Sequence, residues 1–363
     1  MTIQEHIPLA PLTTLRVGGE ARYFVEIRRE DEFAPALEFA RSRDLPVFVL
    51  GGGSNVVVAD SGWPGLVLKI AIGGIATPNA KEASGNSVLF SVGAGVSWDD
   101  FVAQAVVQNC AGVECLSGIP GSVGGTPVQN VGAYGQEVSD TIESVRALDL
   151  KTGQAVILPK PACGFRYRTS VFNSSGRGRY IILRVNFRLK RGGAASLKYA
   201  DLQRHFAEKR SGNGKTPSLA DVREAVREIR RSKGMLIVEG DEDCQSAGSF
   251  FKNPVLNEKR FGELNEKAAA AGLIIPSYPA LDAQHKISAA WLVENSGFAK
   301  GYLSGRAGIS GKHALALINR GDASAADIIQ LENEIQLAVK TQWDVELEAE
   351  PVFVGFGSLA RSG

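Results

Sequence analysis

What most constrains this chain is where it places glycine. Glycine makes up 41 of its 363 residues, against a usual share of about 7%. The excess clusters at 51–53, 93–95 and 118–135 and does not form a low-complexity tract. Glycine is entropically costly to order, so it persists where φ must be positive or where something approaches the backbone closely. The longest case is "LSGIPGSVGGTPVQNVGAYG", Leu116 to Gly135, with six glycines, two prolines and no charged residue. The other is "GGGSN" at 51–55. "LPVFVL" before it reads as a buried strand and "VVVAD" after it as more strand, so these glycines join strand to strand. A dinucleotide-binding βαβ unit needs its glycine loop to open a helix, and this order argues against one.

The remaining pattern is that of a mixed chain. "GLVLKI" (65–70) and "SVLFSVGAG" (87–95) are strands, followed by a helix over 98–109 that Ser97 and Asp100 start in capping-box fashion. An earlier helix at 33–43 aligns Phe33, Leu37 and Ala40 on one face. Strands follow near 142–149 and 155–159. "YIILRVNFRLK" (180–190) then alternates Leu183, Val185, Phe187 and Leu189 with polar residues, giving one buried face. Helices are expected at 218–233, with Val222, Val226 and Ile229 inward, and at 257–271, 287–296 and 324–343, the last begun by Ser324 and Asp327. "GSFFKNP" (248–254) and "VELEAEPVFVGF" (345–356) read as strands, and Arg166 and Arg168 alternate on another. Residues 1–195 are rich in glycine and strand, 200–343 in helix.

Composition excludes several classes. A net charge of +1 and no long basic run leave no footprint for nucleic acid. The apolar runs are strand-sized, and the N-terminus lacks a signal-peptide pattern, so a cytoplasmic protein without membrane contact is expected. Cys110, Cys115, Cys163 and Cys244 have no paired spacing and read as free thiols, several of them buried. His6, His205, His285 and His313 have no metal-binding spacing, and no metal is expected.

Several polar residues sit where polarity is costly. Ser249 precedes "FF" in an apolar segment, and its hydroxyl either bonds to nearby backbone or does chemistry. Arg166 and Arg168 flank Tyr167, and arginines alternating on a strand ordinarily face solvent, so a functional role for Arg168 needs support from elsewhere. Glu346, Glu348 and Glu350 are in phase on the terminal strand, ordinarily a solvated acidic edge, with Pro351 and "VFVGF" just beyond pointing to the start of burial. Either glycine loop could be a tight chain crossing or a cradle of N–H groups for an anion, with Ser54 and Asn55 adding donors to the first.

These stretches occur together, in order, in one family: "TTLRVGG" (13–19), "LGGGSN" (50–55), "GIPGSVGG" with "QNVGAYG" (118–135), "FRYRTSVF" (165–172), "AGSFFKNP" (247–254), "KISAAWLVENSGFAKG" (286–301), "ISGKHALALINRG" (309–321) and "LEAEPVFVG" (347–355). The chain resembles the bacterial UDP-N-acetylenolpyruvoylglucosamine reductases (MurB) nearly end to end. The resemblance implies an α+β fold: a two-subdomain FAD-binding module of the vanillyl-alcohol-oxidase or PCMH type, plus a C-terminal α+β substrate-binding domain. The implied boundaries are 1–75 and 76–234 for the two subdomains, the second with an inserted segment around 198–220. The substrate domain follows at 235–345, and 346–363 returns as a strand to the FAD module.

The implied reaction takes hydride from NADPH onto FAD. It then reduces the enolpyruvyl ether of UDP-N-acetylglucosamine to UDP-N-acetylmuramate, a step of peptidoglycan precursor synthesis. Gly51, Gly52, Gly53, Ser54 and Asn55 would hold the FAD pyrophosphate. Ser117, Gly118, Ile119, Pro120, Gly121, Ser122, Gly124 and Gly125, with Gln129, Asn130 and Gly132, would wrap the rest. No histidine lies between His6 and His205, so FAD is expected to be non-covalent. By motif position Arg168 and Glu350 resemble the pair that polarises the substrate carboxylate, and Ser249 the proton donor. Tyr199, Lys233, Asn253, Lys286 and His313 match substrate contacts. The segment 233–245 departs from the family's usual shorter form, and its acidic residues carry no implied role. A monomer acting on small molecules is expected. A flavin-free sugar-nucleotide binding or transfer protein and an oxidase on the same fold are the competing readings.

Overall fold

A computed structural model describes residues 1–77, 86–209, 216–280 and 283–357. Part of the expected inserted segment (210–215) and the end of the expected C-terminal segment (358–363) lie outside the described residues. The chain divides into two compact units. One gathers Met1–His6, Tyr23–Gly52 and Pro64–Ser232, the other Ile7–Arg22, Gly53–Trp63 and Lys233–Gly363.

In the first unit the alternation of "YIILRVNFRLK" becomes the twelve-residue strand Tyr180–Arg191 at the middle of the larger sheet. The strand order is Gln154–Pro159, Ile142–Asp149, Tyr180–Arg191, Ser87–Gly93 and Ile75–Ala76, all antiparallel. Leu183, Val185, Phe187 and Leu189 are buried as the period-two pattern requires. Their face meets α2 (Trp98–Val107), whose Phe101 ring lies 4.8 Å from that of Phe187. Ser97 caps α2 by accepting from the Asp100 N–H at 3.4 Å. A smaller sheet runs in the order Gln4–Pro8, Glu20–Ile27, Trp63–Ile70 and Val47–Leu50. α1 (Phe33–Arg41) buries Phe33, Ala36 and Ala40, leaving Leu37 only partly covered.

The sequence pattern does not announce α3 (Ala200–Lys209), although Leu202 and Phe206 have helical i, i+4 spacing. With α4 (Leu219–Ser232) it encloses a small cluster of Cys115, Tyr134, Leu202, Val222, Ala225 and Val226.

In the second unit α5 (Glu258–Ala270), α6 (Ala289–Glu294) and α7 (Ala325–Trp343) pack with two small three-stranded sheets around an apolar core. Ser324 and Asp327 form the expected capping box on α7. Val352–Val354 lies parallel to Val56–Val58.

Three strand expectations need correction. Residues 165–172 form a tight turn: Arg166 and Thr169 bridge each other, Arg168 is left-handed (φ 53°), and the Ser170 and Asn173 side chains take backbone partners away from any ladder. Residues 248–254 form only an isolated bridge, Phe251 to Ala349, after Gly248 turns the chain at φ 80°. The terminal strand is confined to Val352–Val354 because Pro351 has no N–H to continue the ladder.

Candidate functional site

Gly51 and Gly52 meet the second glycine loop within the first unit. A Cβ on Gly52 would lie 2.3 Å from Gly121 Cα and 2.6 Å from both Gly121 C and Ser122 N. Gly52 is therefore glycine because another backbone presses on it. On the same loop the Gly51 carbonyl accepts from Lys69 Nζ. Burial pushes the Lys69 ammonium below its ordinary value, against the opposing charge of Glu26. A Cβ on Gly51 would stand 3.1 Å from Ser122 Oγ, which is buried without a hydrogen-bond partner among the described residues. Beside Gly125 there is open space: nothing lies within 4 Å of a Cβ placed there.

The second loop is held from behind. Trp98 Nε1 donates to Leu116 O at 2.9 Å and the Trp98 N–H to Gly121 O at 3.1 Å. Ser117 is fully buried and donates to Glu114 O at 2.7 Å. Within the first unit the N–H groups of Gly51 and Gly52 donate to no described residue, nor do those of Ile119, Gly121 and Ser122. Successive N–H donors without a protein acceptor, beside an orphaned hydroxyl, form the donor set that an anionic, hydroxyl-rich ligand satisfies. They fit the diphosphate and polyol of FAD. No group of His, Cys, Asp or Glu among the described residues could hold a metal.

Asn130 is 1% exposed and its side chain is committed to the fold. Its Nδ2 donates to Glu137 Oε2 at 2.8 Å and Arg166 O at 3.1 Å, and its Oδ1 accepts from the Ser139 N–H at 3.1 Å. It shapes the loop and braces the turn that carries Arg168. Arg168 Nη2 in turn donates to Gly132 O at 3.1 Å. Gly132 is tight, with a Cβ there falling 2.9 Å from Glu137 Cγ. Gln129 is half-buried. Tyr199, 41% exposed, stands edge-on to Tyr134 with ring centroids 5.4 Å apart. Glu114, missed in the sequence, is a 1% exposed carboxylate accepting from Gly112 N, Ser196 N and Gln136 Nε2 at 2.7, 2.9 and 2.9 Å. It ties the segment leading to Tyr199 onto the base of the glycine loop.

The second unit brings Ser249 and Glu350 into neighbouring strands of chain. The Glu350 N–H donates to Phe250 O at 2.8 Å, and Lys252 N to Glu348 O at 2.9 Å. Asn55 holds this arrangement: its Nδ2 donates to Glu350 O at 3.2 Å and its carbonyl accepts from Val352 N at 3.0 Å. Ser54 beside it is half-buried, and Gly53 could carry no Cβ, which would fall 2.0 Å from Leu12 O. Along the terminal segment Glu346 and Glu348 are exposed and paired with Lys340 and Lys252, while Glu350 is half-buried. The acidic edge therefore ends where burial begins. Of the two nearby serines, Ser246 is the one bonded to local backbone, accepting from the Gly248 N–H at 3.2 Å. The Ser249 hydroxyl makes no hydrogen bond among the described residues.

Asn253 Oδ1 accepts from the Ala289 N–H at 2.9 Å, at the start of α6. Lys286 lies in the strand His285–Ile287. His313 Nδ1 accepts from Leu315 N at 3.2 Å, so the ring proton belongs on Nε2. The turn that carries His313 is braced by the 233–245 segment, which begins at half-buried Lys233: Asp243 accepts from Gly311 N at 2.8 Å, and Lys312 Nζ pairs with Asp241 at 2.5 Å. The hydrogen bond to Asp241 holds the Lys312 ammonium above its ordinary value.

Comparison with known proteins places this geometry. Residues 240–354 match the C-terminal domain model of UDP-N-acetylenolpyruvoylglucosamine reductase, and 21–158 match an FAD-binding domain model. The reductase of that name from Thermobifida fusca is 43% identical over 96% of this chain and 97% of its own length. That from Streptomyces avermitilis is 43% identical over 96% and 94%. The crystal structure of the Thermus caldophilus reductase covers 97% of this chain and 100% of that one, with a TM-score of 0.63 at 24% identity, and shares its fold.

Proposed function

The chain belongs to the UDP-N-acetylenolpyruvoylglucosamine reductase family, and from that premise we propose how its own residues carry the reaction. It is an NADPH-dependent FAD enzyme that converts UDP-N-acetylglucosamine enolpyruvate to UDP-N-acetylmuramate in peptidoglycan precursor synthesis. When bound, FAD supplies the hydride relay, accepting from NADPH and donating to the methylene carbon of the enol ether.

The Ser249 hydroxyl delivers the proton to the adjacent carbon. Serine is a weak acid, but a developing carbanion is a strong base, and position compensates for pKa. Arg168 and Glu350 polarise the substrate carboxylate and stabilise the enol-like intermediate. Charge held in place before the reaction needs no reorganisation as the transition state forms, and in many enzymes it lowers the barrier more than any other effect. What supports the assignment is the Ser249 hydroxyl, which makes no hydrogen bond among the described residues, one position before Phe250, whose carbonyl accepts from the Glu350 N–H. The N–H groups of Gly51 to Ser54 and the Ser122 hydroxyl hold the diphosphate and polyol of FAD, and the 118–132 loop wraps the remainder. Tyr199, Lys233, Asn253, Lys286 and His313 hold the sugar nucleotide.

We read 1–75 and 76–234 as the FAD subdomains, 235–345 as the substrate domain and 346–363 as the returning segment. We propose that it acts as a monomer on small-molecule substrates. Work in the cytoplasm follows from its NADPH and sugar-nucleotide substrates, and no helix among the described residues is long and apolar enough to cross a membrane.

One series of absorbance spectra tests this. The purified protein is expected to show a flavin spectrum, bleach with NADPH and recover with the enolpyruvyl substrate. Acid precipitation is expected to release intact FAD. A colourless protein that FAD cannot reconstitute overturns the reading; rapid reoxidation by oxygen alone favours an oxidase; colour kept in the denatured pellet overturns non-covalent binding.

A further inference from the structure

α4 carries Arg223, Arg227 and Arg230 at i, i+4 and i+7, a single stripe beside its apolar face. Two of these arginines converge on Asp99, in the first turn of α2. Arg223 makes a two-pronged pair with it, Nη1 to Oδ1 at 2.6 Å and Nη2 to Oδ2 at 2.9 Å, and Arg227 Nη1 reaches Oδ2 at 2.6 Å. Asp99 Oδ1 also accepts from the Gly118 N–H at 2.6 Å. The third arginine takes the other end of the same residue, Arg230 Nε donating to Gly118 O at 3.1 Å. Arg230 is 8% exposed and also hydrogen-bonds Tyr134, so α4 grips the 116–135 stretch near both ends.

Burial alone would raise the Asp99 pKa. The hydrogen bonds from Arg223 and Gly118 and the charges of Arg223 and Arg227 outweigh it and hold the carboxyl below its ordinary range. The folded environment therefore favours the anion.

Gly118 is left-handed, with φ at +71°, and stands where the loop turns toward Ile119, Gly121 and Ser122, whose N–H groups have no acceptor among the described residues. Both polar ends of Gly118 are tied down, and the N–H groups that follow are left without an acceptor among the described residues. We propose that Asp99, clamped by Arg223 and Arg227, is a positioning residue for the FAD site: it orients the Gly118 peptide and thereby aims the free N–H groups of the following residues at the cofactor. The clamp acts on FAD only through the loop. The inference rests on the reading that residues 118–125 contact FAD.

The test uses the full chain, stripped of FAD and titrated with it, following flavin fluorescence and visible circular dichroism, with the melting temperature of the apoprotein measured alongside. Asp99→Asn keeps shape and an acceptor for Gly118 but removes the charge that binds both arginines. Loss of charge-assisted hydrogen bonds predicts about 10- to 100-fold weaker FAD binding and an altered flavin circular dichroism band. Arg223→Lys keeps charge without the two-pronged geometry and is expected to fall between wild type and Asp99→Asn; it also serves if Asp99→Asn does not fold.

A purely structural role predicts a lower apoprotein melting temperature with the FAD dissociation constant and flavin band unchanged in the folded fraction, and that result overturns the proposal. Gly125→Val separates the two levels of inference. If it leaves FAD affinity intact, the loop is not the cofactor's and the underlying reading fails. If it weakens FAD while Asp99→Asn and Arg223→Lys do not, only the clamp fails.

Discussion

Gly52→Ala is a single-methyl test of why the glycine loops exist. The added Cβ would sit 2.3 Å from Gly121 Cα and 2.6 Å from the next two backbone atoms. Apolar carbon contacts relax near about 3.5–4.0 Å, so the two backbones would have to part by about 1 Å. No side chain can swing aside, because the obstructing atoms are main chain. Overpacking of this kind costs about 1–3 kcal/mol, which corresponds to a melting temperature about 2–10 °C lower. The displaced segment also carries the Ser122 hydroxyl and the free N–H groups, so FAD affinity should fall with stability. Gly125→Ala is the internal control. It meets nothing within 4 Å, has no positive φ and ends a short 3-10 turn. Its apoprotein should be as stable as wild type or slightly more so, with weakened FAD binding. Differential scanning fluorimetry of the apoproteins and flavin fluorescence titration read the two effects separately. A Gly52→Ala apoprotein with wild-type melting and wild-type FAD affinity would refute the steric reasoning.

Ser249→Ala should leave FAD reduction by NADPH within a few-fold of normal and slow reoxidation by the enolpyruvyl substrate by about 10²–10⁴-fold. Stopped-flow absorbance of each half-reaction decides, and equal slowing of both removes Ser249 from the mechanism. Arg168→Lys should be a poor replacement in turnover assays despite its retained charge, because lysine lacks the planar fork for a carboxylate; normal turnover places Arg168 outside the chemistry. All four cysteines are buried. Burial pushes the Cys115 thiol up to about 12, with the Glu114 charge adding to it, and Cys163 up to about 11. The native protein should therefore resist a thiol reagent at pH 8 that titrates all four after denaturation, and a variant lacking them should keep both half-reactions; fast native labelling of Cys115 would contradict its burial.

Much of this protein is legible in one dimension because the signals are short-range. The caps at Ser97 and Ser324, the period-two face of 180–191 and the strand–glycine–strand order at 45–60 each depend on residues a few positions apart. They determine which segments are helix or strand, and they rule against a glycine loop that opens a helix. Motif order carries the family. What stays hidden depends on residues distant along the chain. That Gly52 faces backbone and Gly125 open space, that Ser246 rather than Ser249 bonds locally, and that Asn130 braces the Arg168 turn follow only from the packed loops. Nothing near Glu114 or Asp99 in the sequence announces their partners at Ser196 or at Arg223 and Arg227. A local pattern can state which residues prefer to be buried. Which buried polar atom finds a partner, and which is left for a ligand, is decided when distant backbones close on each other, since an N–H or hydroxyl cut off from water must take whatever acceptor the fold supplies.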